Sequence, residues 1–290
     1  MTYLATPQPR TPVPSLCVGE RVMEFGHKVH LMGVLNVTPD SFSDGGQFFE
    51  RQSAIEQALQ LVEAGADIID VGGESTRPGA QPVNADEEME RVIPVIEEIR
   101  RHSDAWISVD TYKADVAEAA VAAGAHLVND ISGLGFDERM ASTVADAECG
   151  LVLMHIRKTP ATMQNEIHYD DLIGDITSYF KKRLQRADEA GIDGDKILLD
   201  PGIGFGKTVA HNYRIIRELA AFRQLKKPLL VGTSRKSFIG AVTDRGADER
   251  LFGTAATVAC AVFSGADVVR VHDVAELNDV VRVAEAVCAM

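Results

Sequence analysis

Cysteine is scarce: Cys17, Cys149, Cys260 and Cys288 are the only four in 290 residues, with no paired spacing and no companion His pattern. That excludes a disulfide framework or a Cys/His zinc site and fits reduced thiols in a cytoplasmic protein. Long apolar runs are missing too: no window approaches the roughly 18 uninterrupted apolar residues of a membrane span. Basic residues are outnumbered, 29 Lys and Arg against 43 Asp and Glu, giving a net charge of −14. A general affinity for nucleic acid needs clustered Lys and Arg, so it is excluded. A local anion pocket is not, because its potential is set by its own lining. HExxH and GxSxG are both absent, which argues against catalytic zinc and against a nucleophile elbow. Pro201–Thr208 ends like a phosphate-binding P-loop, yet Pro201 stands where that motif needs glycine, so the match fails.

What the chain does have is a rhythm. Short apolar runs end abruptly in residues that carry chemistry: 31–35 into Asn36, 67–72 into Gly73–Arg77, 105–109 into Asp110, and 125–128 into Asn129 and Asp130. The series continues with 151–154 into His155, 196–199 into Asp200, 228–231 into Thr233–Lys236, and 267–269 into Arg270 and His272. Between them lie helical patterns at about 51–64, 86–102, 112–123, 137–147, 170–190, 210–225, 248–264 and 273–288. Parallel strands need such a crossover to return to the same edge. Eight β-then-α units predict an α/β fold of the TIM (β/α)8 barrel type, and the count favours closure over an open sheet. Leu16–Phe25 and Lys28–Val37 read as strands joined near Gly26, the first closing the bottom of the barrel as an N-terminal β-hairpin would. Residues 1–15, rich in Pro and Thr without an apolar core, read as a disordered tail and not a secretory signal; 16–290 read as one domain.

The active site of such a barrel gathers where the strands end. Gly232-Thr233-Ser234-Arg235-Lys236-Ser237 follows the seventh run and opens a helix, where free backbone N–H groups favour anions. Arg270 and His272 end the eighth, so basic residues gather at two adjacent strand ends. Opposite them, Asp110, Asn129 and Asp200 offer acceptors and donors to the edge of a nitrogen-rich ring. Each also fits a plainer role: Asp110 a helix cap, Asn129 with Asp130 a turn, Asp200 a turn before Pro201. His155 fits a satisfied core histidine as well as a ligand. The loop 201–208 reads either as a turn or as a way for Phe205 to approach a flat ligand. Asn36 is a neutral oxygen donor that magnesium accepts, and a turn residue equally well.

Taken together, LMGVLNVTPDSFSDGG (31–46), DIIDVGGESTRPG (67–79), ISVDTYK (107–113), LVNDISG (127–133), ILLDPGIGFGK (197–207), GTSRKSFIG (232–240) and VVRVHDV (268–274) resemble the dihydropteroate synthase family. The resemblance implies condensation of 6-hydroxymethyl-7,8-dihydropterin diphosphate with 4-aminobenzoate, and competitive inhibition by sulfonamides. It implies that Asn36 coordinates Mg2+ on the diphosphate, and that Thr76, Asp110, Asn129 and Asp200 hold the pterin. Lys236, Arg270 and His272 would be the catalytic set, Lys236 on the pterin and the other two on the diphosphate. Ser237 and Phe205 would place 4-aminobenzoate, while Phe42, Ser43, Asp44 and Arg77 fall on two mobile loops. The implied pocket is acidic toward the ring and cationic toward the leaving group. One departure is Lys158, where a glycine is common, which puts the shape of loop 154–164 in question. A pterin-binding methyltransferase of the methyltetrahydrofolate type and a non-catalytic pterin-binding paralogue are the other readings. The nearly all-apolar helix at about 253–264 calls for a partner, of which a homodimer, also implied by the resemblance, is the simplest.

Overall fold

A computed structural model describes residues 13–38, 46–76 and 82–289, the side chains of 46–50 excepted. Two short strands, β1 (Leu16–Val18) and β2 (Arg21–Met23), pair antiparallel around a left-handed Gly19. The expected single strand over Leu16–Phe25 is therefore itself the hairpin. Glycine adopts positive φ without steric cost, so the hairpin turns at Gly19, and Gly26, also at positive φ, lies in the connection from β2 to the first barrel strand.

The barrel strands are β3 (His30–Asn36), β4 (Ile68–Gly72), β5 (Trp106–Asp110), β6 (Leu127–Asp130), β7 (Gly150–Met154), β8 (Ile197–Asp200), β9 (Leu230–Val231) and β10 (Val268–Val271). All neighbours are parallel, in the order β8-β7-β6-β5-β4-β3-β10-β9. The ring closes between β8 and β9 through a bridge from Leu199 to Leu229 and a 2.9 Å bond from Leu199 N–H to the Pro228 carbonyl. The chain thus folds as the predicted TIM barrel. Around it lie α1 (Gly46–Glu63), α2 (Ala85–His102), α3 (Ala114–Ala122), α4 (Met140–Asp146), α5 (Leu172–Glu189), α6 (Val209–Arg217), α7 (Ser237–Thr243), α8 (Leu251–Phe263) and α9 (Val274–Cys288). The helix expected over 210–225 stops at Arg217 and continues as a 3-10 turn, Leu219–Leu225, before a left-handed Lys226.

Strand register sorts the interior into layers. Met32, Ile68, Trp106, Leu127, Val152, Leu198, Leu230 and Val268 form one buried cluster with Leu16, Met23 and Phe25 of the hairpin segment. This is the floor, and the hairpin plugs it. Two residues further along the strands, on the same face, the layer turns polar: Asp70 pairs in register with Ser108 and Asp110 with Asn129, and Arg270 follows Val268 on β10. A separate apolar shell, with Ile69, Val71, Ile107, Val109, Leu151 and Leu199, binds the outward strand faces to the helices.

Candidate active site

The polar layer is a bonded network. The Arg270 guanidinium donates through Nε to Asp70 Oδ2 at 2.6 Å and through Nη2 to Asp110 Oδ2 at 2.7 Å. Asn129 Nδ2 donates to the same Asp70 oxygen at 3.0 Å. Asp70 is wholly buried, and such a charge is tolerated only when paired and hydrogen-bonded. Burial, opposed by Arg270, pushes the Asp110 carboxyl up to about 7. Burial also lowers Arg270, but Asp70 and Asp110 outweigh it and hold the guanidinium above its ordinary value.

The far side of the mouth is built from the loop after β8 and the loop after β9. Asp200 is buried at the end of β8, and its Oδ1 accepts the Gly202 N–H at 2.7 Å. Burial raises its pKa while Lys236 opposes the shift. Lys236 stands just before α7 and donates to the Ile203 carbonyl, its ammonium 4.9 Å above the Phe205 ring. Burial pulls that ammonium down to about 8, with Asp200 holding it up. His272 lies beside Ser234, whose Oγ accepts the His272 N–H at 3.2 Å and sits 3.0 Å from its Nδ1. At the same end of the barrel, Ile131, Met154, Ile156 and Met163 form a separate buried apolar cluster with Tyr112 and Phe205 packed against it.

Residues 32–272 match the pterin binding enzyme family. The chain is 47% identical over 274 residues to the dihydropteroate synthase of Synechocystis sp., covering 94% of this chain and 95% of that one. It is 48% identical over 259 residues to that of Escherichia coli, covering 89% and 91%. The chain belongs to the dihydropteroate synthase family. The crystal structure of Yersinia pestis dihydropteroate synthase with a sulfonamide drug complex superposes with a TM-score of 0.90 at 41% identity, covering 95% of this chain and 100% of that one. Xanthomonas albilineans dihydropteroate synthase in complex with 7,8-dihydropteroate gives 0.86 at 39% identity, covering 96% and 100%.

For a dihydropteroate synthase, the geometry alters one expectation. The acidic and cationic sides are not separate, because Arg270 is bonded directly to the acidic side. Arg235 leaves the basic cluster too: its Nε donates to Asp273 Oδ2 at 3.0 Å, tying the loops after β9 and β10 together. Asp110, Asn129 and Arg270 are brought together, as are Asp200, Lys236 and Phe205. Thr76 is half-buried beyond β4, and Ser237 is exposed at the start of α7. Phe42, Ser43, Asp44 and Arg77 lie outside the described residues. Asn36 ends β3 facing the mouth: a Cβ built on Gly72 would lie 3.9 Å from both its Oδ1 and the Asp110 Cγ.

Among the described residues no group of three or more His, Cys, Asp and Glu side chains is placed to hold a metal ion. One neutral oxygen suits a magnesium ion that takes its remaining ligands from phosphate and water, not a protein-held ion. The buried ionisable residues not expected from the sequence include Asp70 and Lys207. Asp70 sits inside an apolar run, and a lone carboxylate there was itself the signal. Lys207 is buried, with its Nζ 2.8 Å from His155 Nδ1, 3.3 Å from the His155 carbonyl and 3.0 Å from the Phe205 carbonyl. His155 is thereby the satisfied core histidine of the two readings.

Proposed function

We propose that this chain is a dihydropteroate synthase: it joins 6-hydroxymethyl-7,8-dihydropterin diphosphate to 4-aminobenzoate, releasing 7,8-dihydropteroate and diphosphate. Of the three readings open at the sequence, the relatives select this one. The observation that carries it is the network of Arg270 with Asp70, Asp110 and Asn129 at the barrel mouth. In the reaction the aryl amine attacks the pterin methylene carbon, the carbon–oxygen bond to diphosphate breaks, and the amine then gives up a proton. Little covalent work is asked of the protein, so positioning and preorganised charge supply the catalysis.

Asp110, Asn129 and Asp200 present acceptors and an amide to the pterin edge, and Thr76 belongs to the same pocket. Lys236 donates to the ring, while Arg270 and His272 bind the diphosphate and stabilise the charge that grows on it as the bond breaks. Arg270 also reaches the ring side through Asp110, so the leaving group and the pterin are read by one connected unit. Phe205 and Ser237 face 4-aminobenzoate, and Phe42, Ser43, Asp44 and Arg77, outside the described residues, are assigned to the same substrate. A magnesium ion carried by the diphosphate and met by Asn36 would add Lewis-acid stabilisation of the departing oxygens.

The partners are these small molecules and a second copy of the chain. Phe252 on α8 is 87% exposed and Val242 on α7 is 67% exposed, an apolar presentation that a homodimer would cover. No helix among the described residues is long and apolar enough to cross a membrane, and we place the enzyme in the cytoplasm. The test is diphosphate release by the purified full chain. Release should require the pterin diphosphate, 4-aminobenzoate and Mg2+ together and be blocked competitively by a sulfonamide. Absence of release with all three present contradicts the assignment.

A further inference from the structure

The loop after β8 is held in an unusual way. Its four consecutive carbonyls each accept from a different side chain: Ile203 from Lys236, Gly204 from Gln164 at 2.8 Å, Phe205 from Lys207 at 3.0 Å and Gly206 from Tyr169 at 3.0 Å. Gly202, Gly204 and Gly206 alternate through left-handed backbone, which turns successive carbonyls outward to meet these donors. Three of the four donors do not belong to the substrate-facing set of the reading above. Gln164 and Tyr169 come from the segment between β7 and α5, and Lys207 is anchored to that segment through His155.

The two pieces of chain are in intimate contact. A Cβ on Gly202 would fall 2.0 Å from the His155 carbonyl, and one on Gly206 would fall 2.9 Å from the Arg157 Cβ. The Lys207 Nζ meets two carbonyls and one imidazole nitrogen, so its hydrogen-bonding capacity is taken up in holding this loop, and burial lowers its pKa well below the ordinary lysine value against the opposing charge of Asp200. His155 is packed edge-on to Tyr179 at 4.7 Å, which fixes the anchor in turn. The side chain carried on this lashed loop is Phe205.

We propose that Lys207 and Tyr169 are positioning residues for the second substrate, setting the height of Phe205 and hence the fit of 4-aminobenzoate without touching it. Gln164 contributes a weaker, exposed tie to the same loop. The proposal rests on the reading that Phe205 faces 4-aminobenzoate. Its consequence is a split: loosening the far end of the loop raises KM for 4-aminobenzoate more than KM for the pterin diphosphate, because Asp110, Asn129 and Arg270 stand on other strands and the pterin partners Asp200 and Lys236 meet the loop only at its near end, at Gly202 and Ile203.

Steady-state kinetics of the full chain test it with three variants. Tyr169→Phe removes one hydroxyl and no charge, and should raise KM for 4-aminobenzoate about three-fold with the pterin diphosphate KM within about two-fold, the scale of one lost hydrogen bond. Lys207→Met leaves two carbonyls and an imidazole without their donor, and should raise the same KM by more than about ten-fold. If Lys207→Met does not fold, Tyr169→Phe decides alone. Phe205→Ala should raise KM for 4-aminobenzoate by at least as much as either. If Phe205→Ala raises that KM but the folded positioning variants do not, or raise both KM values alike, the positioning role is wrong and the substrate reading stands. If Phe205→Ala changes neither KM, the substrate reading fails and takes the proposal with it.

Discussion

The floor and the mouth of this barrel are built on the same strands, two residues apart, and obey opposite rules. On β4 the inward face runs from Ile68 to Asp70, and on β10 from Val268 to Arg270. On β5 it runs from Trp106 through Ser108 to Asp110. The floor buries chiefly apolar surface and the plugging hairpin, and contributes stability in proportion to that area. The mouth buries charges whose desolvation offsets much of their mutual attraction, so its value is chemical. The strands are rigid supports for both. A substitution should therefore damage binding or stability according to which layer it enters, even when the positions are near neighbours.

The largest effect is expected at the mouth. Arg270→Ala deletes the group that joins Asp70 to Asp110, and turnover in a diphosphate-release assay should fall by about 100-fold or more, with near-ultraviolet circular dichroism still showing a folded barrel. Substantial residual activity would mean that the network is structural only. At the floor, Trp106→Ala opens a cavity among Met32, Ile68 and Leu127 and removes the ring on which the Arg21 guanidinium lies at 4.9 Å. Denaturant unfolding followed by circular dichroism should show a loss of about 3–5 kcal/mol, with both KM values unchanged in the protein that remains folded.

The two layers should also respond oppositely to pH. Burial, opposed by Arg270, pushes Asp110 up to about 7 in the fold, against about 4 in the unfolded chain. Between those values the folded state holds a proton that the unfolded state has lost, so this group's share of stability falls as pH rises from about 4 to about 7. At the floor, burial and then the neighbouring Arg21 pull His126 down to about 4. Its share falls in the other direction, as pH drops from about 6.5 to about 4. Asp110→Asn should remove the first slope and leave the second, so melting temperature measured from about pH 4 to about pH 7.5 should level off on the neutral side.

Much of this contrast was legible in the chain. Eight apolar runs with polar ends located the barrel, its mouth, and the placements of Asp110, Asn129, Asp200, Lys236 and Arg270. The sign pattern within the mouth was less legible, because Arg270 crosses to the acidic side and Arg235 turns away to Asp273, and such pairings depend on the curvature of the sheet. Asp70 was hidden by an apolar run whose period alone does not tell which face it takes. Lys207 was hidden because a lysine near a helix start is ordinarily solvated. Loop 154–164 is clearer: Lys158 adopts φ +63°, the left-handed conformation that explains why glycine is common there. Its ammonium reaches the Asn165 carbonyl at 2.8 Å, so the loop closes without the glycine. Lys158→Gly relieves that backbone strain and should stabilise the protein by about 0.5–1 kcal/mol, the smallest change expected here.

Calorimetric titration of pterin diphosphate into the wild type, Asp110→Asn and Trp106→Phe addresses the division between floor and mouth most directly. Binding should be lost or weakened by at least about 100-fold in Asp110→Asn, since a half-buried partner of the ring and of Arg270 is neutralised, and be retained in Trp106→Phe. Equal affinity in the wild type and Asp110→Asn, or an equal loss in both variants, would contradict it.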